Sequence, residues 1–332
     1  MEKKNSNNEF QIRTDLAMEA RELYQEEKKQ EIQGVSVEQE ELKDVTITRV
    51  EVLNEEAAKV MGKPKGSYIT LECMGLRRAD ADLKDEVSQV MAKELRAITG
   101  NRKNIKALVV GLGNWNVTPD ALGPKVVSKV FVTRHLFQFY NKDKDDDLAQ
   151  ISAISPGVMG TTGVETSEII KGIVEKINPD VVVAVDALAS RKMERVNATI
   201  QISNTGISPG SGLGNKRKAL NQENLGVPVI AIGVPTVVDA ATLTSDTIAM
   251  VIDAFTRQAD KGSDFYNMLK ELQEEEKYAL IREILEPYNA NVMVTPKDID
   301  ETITNLSQII ANGINIALHP GIDLKDVNRY IN

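Results

Sequence analysis

Val109 to Pro124 reads VVGLGNWNVTPDALGP, and the reading of this stretch decides the fold. It begins as an apolar strand, turns on two closely spaced glycines and delivers Asp120 to the start of a helix. Further on, a second apolar run, Val181 to Val185, ends in another acid, Asp186. Runs without polar alternation, VVVAV here and VIAIGV from Val229, imply strands covered on both faces. The expected fold is therefore α/β, a mainly parallel sheet wrapped by helices. In open parallel sheets the reacting groups gather beyond the carboxyl ends of the strands. Asp120 follows one strand, Asp186 ends a second and Pro235 to Asp239 follows a third, so these loops are expected to converge on one rim.

Around this centre an alternating pattern of strands and helices can be followed. Ile105 to Leu112 reads as a strand. Thr118-Pro119-Asp120 then opens a helix, with Thr118 as N-cap and Pro119 in the first turn, running through Val126 and Val130 towards Phe139. Strands are expected at Ile151 to Ser155, Asp180 to Asp186, Ala198 to Ser203 and Val227 to Val234, with a helix at Glu165 to Ile177. Three helices close the chain, at Thr244 to Gln258, Ser263 to Leu285 and Pro296 to Leu318, the last two either flanking the sheet or forming an oligomer contact. On the N-terminal side, TITRVEVL (Thr46 to Leu53) and SYITLECM (Ser67 to Met74) alternate as two half-buried antiparallel strands. Asp85 to Thr99 has helical spacing, and Gly100 stops it. Residues 1–45 are polar, with one short helical possibility between Thr14 and Gln30. The expected organisation is a flexible or partly helical segment, 16–45, ahead of a single α/β domain, 46–332, with a C-terminal helical extension.

Composition narrows the function. The chain has 332 residues, enough for one large α/β domain with additions or two modest domains. Aromatics are 4%, so Val, Ile, Leu and Ala must fill the core. The formal charge of −9 gives no global field that attracts nucleic acid, so no direct nucleic-acid partner is expected. No run approaches the roughly 18 apolar residues of a membrane span, and none reads as a signal peptide. The single cysteine, Cys73, rules out an intrachain disulfide framework and reads as a small core residue in a reducing, cytoplasmic setting. The two histidines, His135 and His319, are far apart in sequence. That argues against a His-rich metal site, and against a Ser-His-Asp triad unless His135 supplies the base.

The carboxylates carry the chemistry. Asp120 at a helix start is either a cap, favoured by the helix dipole by roughly 0.3–1 kcal/mol, or a reacting group. Asp186 abuts five buried aliphatics, which is costly unless it has a partner or a task. Together they suggest an acid/base pair in which one carboxyl holds a proton while the other pulls one from water. Asp239 is a third member or a helix cap. Lys216, Arg217 and Lys218 either steer an acidic peptide or stabilise an oxyanion, or are a solvated loop. A divalent metal held by Asp120, Asp186 and Asp239 is an alternative. GLGN (Gly111 to Asn114) lacks the third glycine of a dinucleotide fingerprint, Asn116 standing in its place, so a nucleotide- or phosphate-binding module is a weaker alternative. No cofactor is expected.

A family resemblance adds to this reading. GLGN, TPDALGPK, ISPGVMG, GVETSEI, NPDVVVAVDALASR, ERVNATIQIS, PGSGLGNKRK, PVIAIGVPTVVDA and MVTPK, in this order, resemble the germination proteases of spore-forming Firmicutes, over about residues 11–320. The resemblance implies an atypical aspartic endopeptidase that degrades small acid-soluble spore proteins early in germination. It also implies a fold similar to the hydrogenase maturation proteases, of phosphorylase/hydrolase-like topology. The family's catalytic acids fall on Asp120 and Asp186. A histidine of the family pattern is replaced by Ser208, so no proton-shuttling or metal role is carried over there, and metal is expected to be absent. The family is made as a precursor. RTDLAMEA, Arg13 to Ala20, resembles the sites cut in its substrates, which places self-cleavage between Asp15 and Leu16 and makes residues 1–15 a propeptide. A homotetramer in the forespore or spore core, with processing linked to acidification and drying, completes the implied picture.

Overall fold

The structure, a computed structural model, describes residues 14–28, 30–78, 80–102, 104–139, 147–209, 217–258, 263 and 292–330. In chain order the elements are α1 (Ala17–Lys28), β1 (Val35–Glu41), β2 (Thr46–Val52), α2 (Glu55–Met61), β3 (Gly66–Glu72), α3 (Ala81–Ile98), β4 (Lys106–Gly111), α4 (Leu122–Val127), α5 (Arg134–Phe139) and β5 (Gln150–Ile154). There follow α6 (Met159–Thr162), α7 (Thr166–Ile177), β6 (Val181–Ser190), β7 (Thr199–Ser203), α8 (Gln222–Leu225), β8 (Val229–Asp239), α9 (Ala240–Gln258), β9 (Met293–Val294), α10 (Ile299–Leu318) and α11 (Leu324–Tyr330). The helix expected at 263–285 lies outside the described residues apart from Ser263.

The strands form one mixed sheet in the order β1-β2-β3-β7-β8-β6-β4-β5, with β9 added on β8. The parallel part is β8-β6-β4-β5. From β8 through β7, β3 and β2 to β1 every pairing is antiparallel. The expectation of a mainly parallel sheet is thus corrected. A continuous apolar run reports burial on both faces and says nothing of a neighbour's direction, and β8 has parallel β6 on one side and antiparallel β7 on the other. The expected N-terminal strand pair is present as β2 and β3. A further strand, β1, pairs with β2 at the edge, its acidic VSVEQEE sequence exposed to water.

Each face of the sheet has its own packing. Val109, Val183, Val185, Ile200, Ile202, Ile230 and Ile232 point to one face, into the largest core, under α3, α4 and α10. The other face carries two smaller cores. Leu108, Val110, Val182 and Ala184 pack with Ile170 and Val174 of α7. Val50, Val52 and Tyr68 pack with Ala17 of α1 and with Ala57 and Met61 of α2. α10 settles one choice left open by the sequence, because it is largely buried and flanks the sheet.

The single helix expected from Thr118 to Phe139 is broken. Thr118–Asp120 is one 3₁₀ turn, α4 stops at Val127 and α5 starts at Arg134. Asn315 of α10 occupies the break, accepting from the Phe131 amide at 2.9 Å and donating to the Lys129 carbonyl at 3.1 Å. Backbone groups released by the break are satisfied by a side chain from a distant helix, which no local pattern foretells. Nor is Thr118 the cap. Its hydroxyl donates to Asp300 at 2.9 Å, and Val117 holds the N-cap position without a side-chain bond.

Candidate active site

The turn after β4 is shaped by contacts too close for side chains. Gly113 has φ 110°, and a Cβ there would come within 2.0 Å of the Asp120 carbonyl oxygen. A Cβ on Gly123 would fall 2.3 Å from the Leu112 carbonyl oxygen and 2.6 Å from that of Val185. The glycines therefore let α4 sit directly on the end of β4 and the middle of β6 and fold the 3₁₀ turn back on itself. The Asn114 amide then donates to both the carbonyl and Oδ2 of Asp120, at 3.0 and 2.8 Å. From the other side the buried Thr236 hydroxyl of β8 donates to the Pro119 carbonyl at 2.8 Å.

Asp186 lies in the middle of β6, because β6 and β8 stay paired past the end of β4; the strand was expected to stop at this acid. The residue is 5% exposed, and its Oδ1 accepts from the Ala187 amide at 2.9 Å. Burial pushes its carboxyl well above the usual carboxylate range, and the charges of Asp120 and Asp15 push the same way. The Asp120 carboxyl is also raised by burial, against the Asn114 hydrogen bond. Arg217 acts on both acids and pulls both down. The two aspartates are thus brought into one electrostatic neighbourhood, with a cation facing them.

Strand register adds a third side chain. Asp186 of β6 and Gln201 of β7 both pair with Gly233 of β8, so the three stand in one row on one face of the sheet. Two strand spacings separate Asp186 and Gln201, about 10 Å between Cα atoms. Gly233 has no side chain of its own, and that of Leu188 packs over it, 2.3 Å from where a Cβ would stand. A cleft of about 660 Å³ opens on this face, lined among others by Asp15, Lys63, Leu188, Gln201, Ser208 and Gly233.

The N-terminal segment is docked beside this row. The Asp15 amide donates to the Ala189 carbonyl at 3.1 Å, and the Ala189 amide donates to Asp15 Oδ2 at 2.9 Å. Leu16 is fully buried. Lys63 Nζ donates to the carbonyls of Thr14 and Asp15, at 3.2 and 2.9 Å. The Gln201 side chain donates from Nε2 to the Asp15 carbonyl at 3.3 Å and accepts at Oε1 from the Ala17 amide at 2.7 Å. Beyond, Glu19, 1% exposed, accepts from the amides of Arg191 and Lys192 and faces the Arg195 guanidinium at 3.4 Å. Arg195 also pairs with Glu22 and Glu72. This cluster fixes the start of α1 against the loop after β6.

The other candidates fall elsewhere. Asp239 ends β8, and its Oδ2 accepts from the amide and hydroxyl of Thr242 at the start of α9, the contacts of a helix cap. Lys216 lies outside the described residues. His135 is exposed on α5 beside edge strand β5, two strands from β6. His319 is buried, accepts at Nδ1 from the Ala149 amide and faces the Phe131 carbonyl with Nε2, a structural role. Among the described residues no group of three or more His, Cys, Asp or Glu is placed to hold a metal ion, and no helix is long and apolar enough to cross a membrane. Sequence reasoning passed over Lys63, Gln201, Glu19 and Arg195. For Gln201 a signal existed: Thr199, Gln201 and Ser203 alternate with Ile200 and Ile202, marking a polar inner face on β7.

Asp186 is buried and Asp120 half-buried, burial raises both carboxyls, and a chain segment is docked beside Asp186. Comparison with known sequences gives the class as a peptidase. The model of the family described as Germination protease matches residues 13–270 and 258–331. The germination protease of Clostridium perfringens (strain ATCC 13124) is 54% identical over 324 residues, covering 97% of this chain and 100% of the relative. That of Clostridium tetani is 52% identical over 321 residues, covering 97% and 99%. That of Bacillus cereus is 47% identical over 357 residues, covering 97% of each. The chain belongs to the germination protease family.

Proposed function

We propose that the chain is a self-processing endopeptidase that cuts its own Asp15–Leu16 bond and then cleaves small acid-soluble spore proteins during germination, using Asp120 and Asp186 to activate water. One observation carries the reading. Asp120 and Asp15, the residue before the bond to be cut, are both held close enough for their charges to act on the buried Asp186. The pair holds one proton between them and titrates as a unit. Asp186, the deeper carboxyl, is the resting place of that proton, and Asp120 is the base. Asp120 takes a proton from water as the water oxygen bonds to the peptide carbonyl carbon. Asp186 then gives its proton to the leaving nitrogen as the C–N bond breaks. A carboxyl and an amine are released, and the pair again holds one proton, now on Asp120. The protein works as a homotetramer in the cytoplasm of the forespore and the spore core, with residues 1–15 as propeptide.

The test is the fate of the N-terminus. Full-length wild-type chain should lose residues 1–15 by mass spectrometry and then digest a small acid-soluble spore protein. Asp120→Asn and Asp186→Asn should each slow both reactions by about 10²–10⁴, the usual worth of acid/base help. Normal proteolysis by either variant removes the mechanism, and activity that strong chelators abolish replaces it with a metal-assisted one. Sedimentation reads the assembly.

A further inference from the structure

We infer that Lys63 and Gln201 form the site that binds and polarises the carbonyl oxygen of the peptide bond being cut. The inference rests on the reading that Asp15–Leu16 is that bond. Two donors from separate elements converge on the Asp15 carbonyl oxygen, Lys63 Nζ at 2.9 Å and Gln201 Nε2 at 3.3 Å. The Gln201 amide also straddles the bond, since its Oε1 takes the amide of Ala17 on the far side. Every one of these contacts is to main chain, at the turn where the segment enters α1.

The fold sets both donors in place. Gln201 shares its row with Asp186 across Gly233, over which the Leu188 side chain packs. Lys63 follows the left-handed Gly62 that ends α2, and its amide is tied to the Ala58 carbonyl at 3.2 Å. Its neighbours Lys59 and Lys65 are exposed, while Lys63 is turned inward. Burial pushes its ammonium pKa down, and the charges of Asp15 and Glu19 oppose that. Burying a lysine head against a neutral carbonyl recovers little of its lost hydration. Against the alkoxide that forms when water adds to the carbonyl carbon, the same ammonium and amide give charge-assisted bonds already in position. Water's proton goes to Asp120, the carbonyl π electrons move onto the oxygen held by Lys63 and Gln201, and they return to expel the nitrogen that Asp186 protonates.

The test uses the full-length chain and measures the first-order loss of residues 1–15, followed by kcat and KM of the processed enzyme on a peptide of sequence Arg13 to Ala20. Lys63→Met should lower the self-cleavage rate and kcat by about 10²–10³, the usual effect of removing one oxyanion donor, with KM little changed. Lys63→Arg should restore part of the rate. Gln201→Glu keeps an acceptor for the Ala17 amide and loses the donor, and should slow both reactions at least about tenfold while the thermal melt stays cooperative. Wild-type rates in Lys63→Met or in Gln201→Glu overturn the assignment. A Lys63→Met chain that cuts itself slowly yet turns over the peptide normally overturns it too, since the lysine would then be a clamp on the N-terminal segment. A wild-type chain that leaves Asp15–Leu16 intact, or an Asp120→Asn chain that cuts it, brings down the underlying reading and this one with it.

Discussion

Asp186 and Gln201 stand opposite the same residue, Gly233, on the two sides of β8. An acid that resists ionisation and an amide that grips a peptide carbonyl therefore share one face, with the Leu188 side chain packed over the glycine between them. The row exists because β8 pairs with β6 on one side and with β7 on the other, so that strands distant in sequence come into register. Three predictions follow from the geometry around this row.

The Asp186 carboxyl is held above its ordinary range, first by burial and then by Asp120. Between the ordinary aspartate pKa, about 3.9, and the displaced one, the folded chain keeps a proton that the unfolded chain has lost. Stability therefore falls as pH rises through that window and levels off above it. Asp186→Asn removes the loss. At pH 7 the variant should be the more stable, and the difference should vanish below about pH 4. Thermal melts of both proteins across pH check this; a variant less stable at pH 7 would contradict it.

Gly113→Ala should be destabilising by about 1–3 kcal/mol, because it places a Cβ at φ 110° and within 2.0 Å of the Asp120 carbonyl. Proteolysis should fall as well, since the same shift displaces Asp120. Gly172→Ala is the matched control. It lies on the exposed side of α7 with nothing within 4 Å of the new Cβ, and should stabilise by about 0.5–1 kcal/mol with activity unchanged. Chemical denaturation of the two variants separates strained backbone from ordinary helix propensity.

Thr118→Val and Thr236→Val test which threonine holds the 118–120 turn. Thr118 makes an exposed bond to Asp300, and its loss should cost no more than about 0.5 kcal/mol. Thr236 is 1% exposed and donates to the Pro119 carbonyl. Its replacement should cost about 1–3 kcal/mol and lower the rate, by leaving that carbonyl without its donor. Equal effects of the two substitutions would show that the buried Thr236 bond is not what holds the turn.

Much of the α/β core was legible because it is written in local pattern. VVVAV and VIAIGV are strands for the reason the sequence suggests, and Asp186 was noticeable because an acid against five aliphatics breaks the pattern. Strand direction was not legible. A buried strand looks alike whichever way its neighbour runs, and the mixed sheet emerged only when β3 and β7 paired across more than a hundred residues. The break between α4 and α5 was hidden likewise, because Asn315, which satisfies it, comes from α10.

By itself the sequence determined the two acids, the glycines that let the 118–120 turn fold tightly and the motifs of the germination protease family. These are short-range properties, set by which side chains are adjacent and which backbone angles they permit. Tertiary structure alone decided that Asp239 caps a helix, that Lys63 leaves a lysine-rich loop to point inward, and that Asp15 lies against β6 with its carbonyl between Lys63 and Gln201. Those placements depend on the register of strands far apart in the chain. A one-residue slip in that register would turn Asp186 or Gln201 to the opposite face and take the site apart.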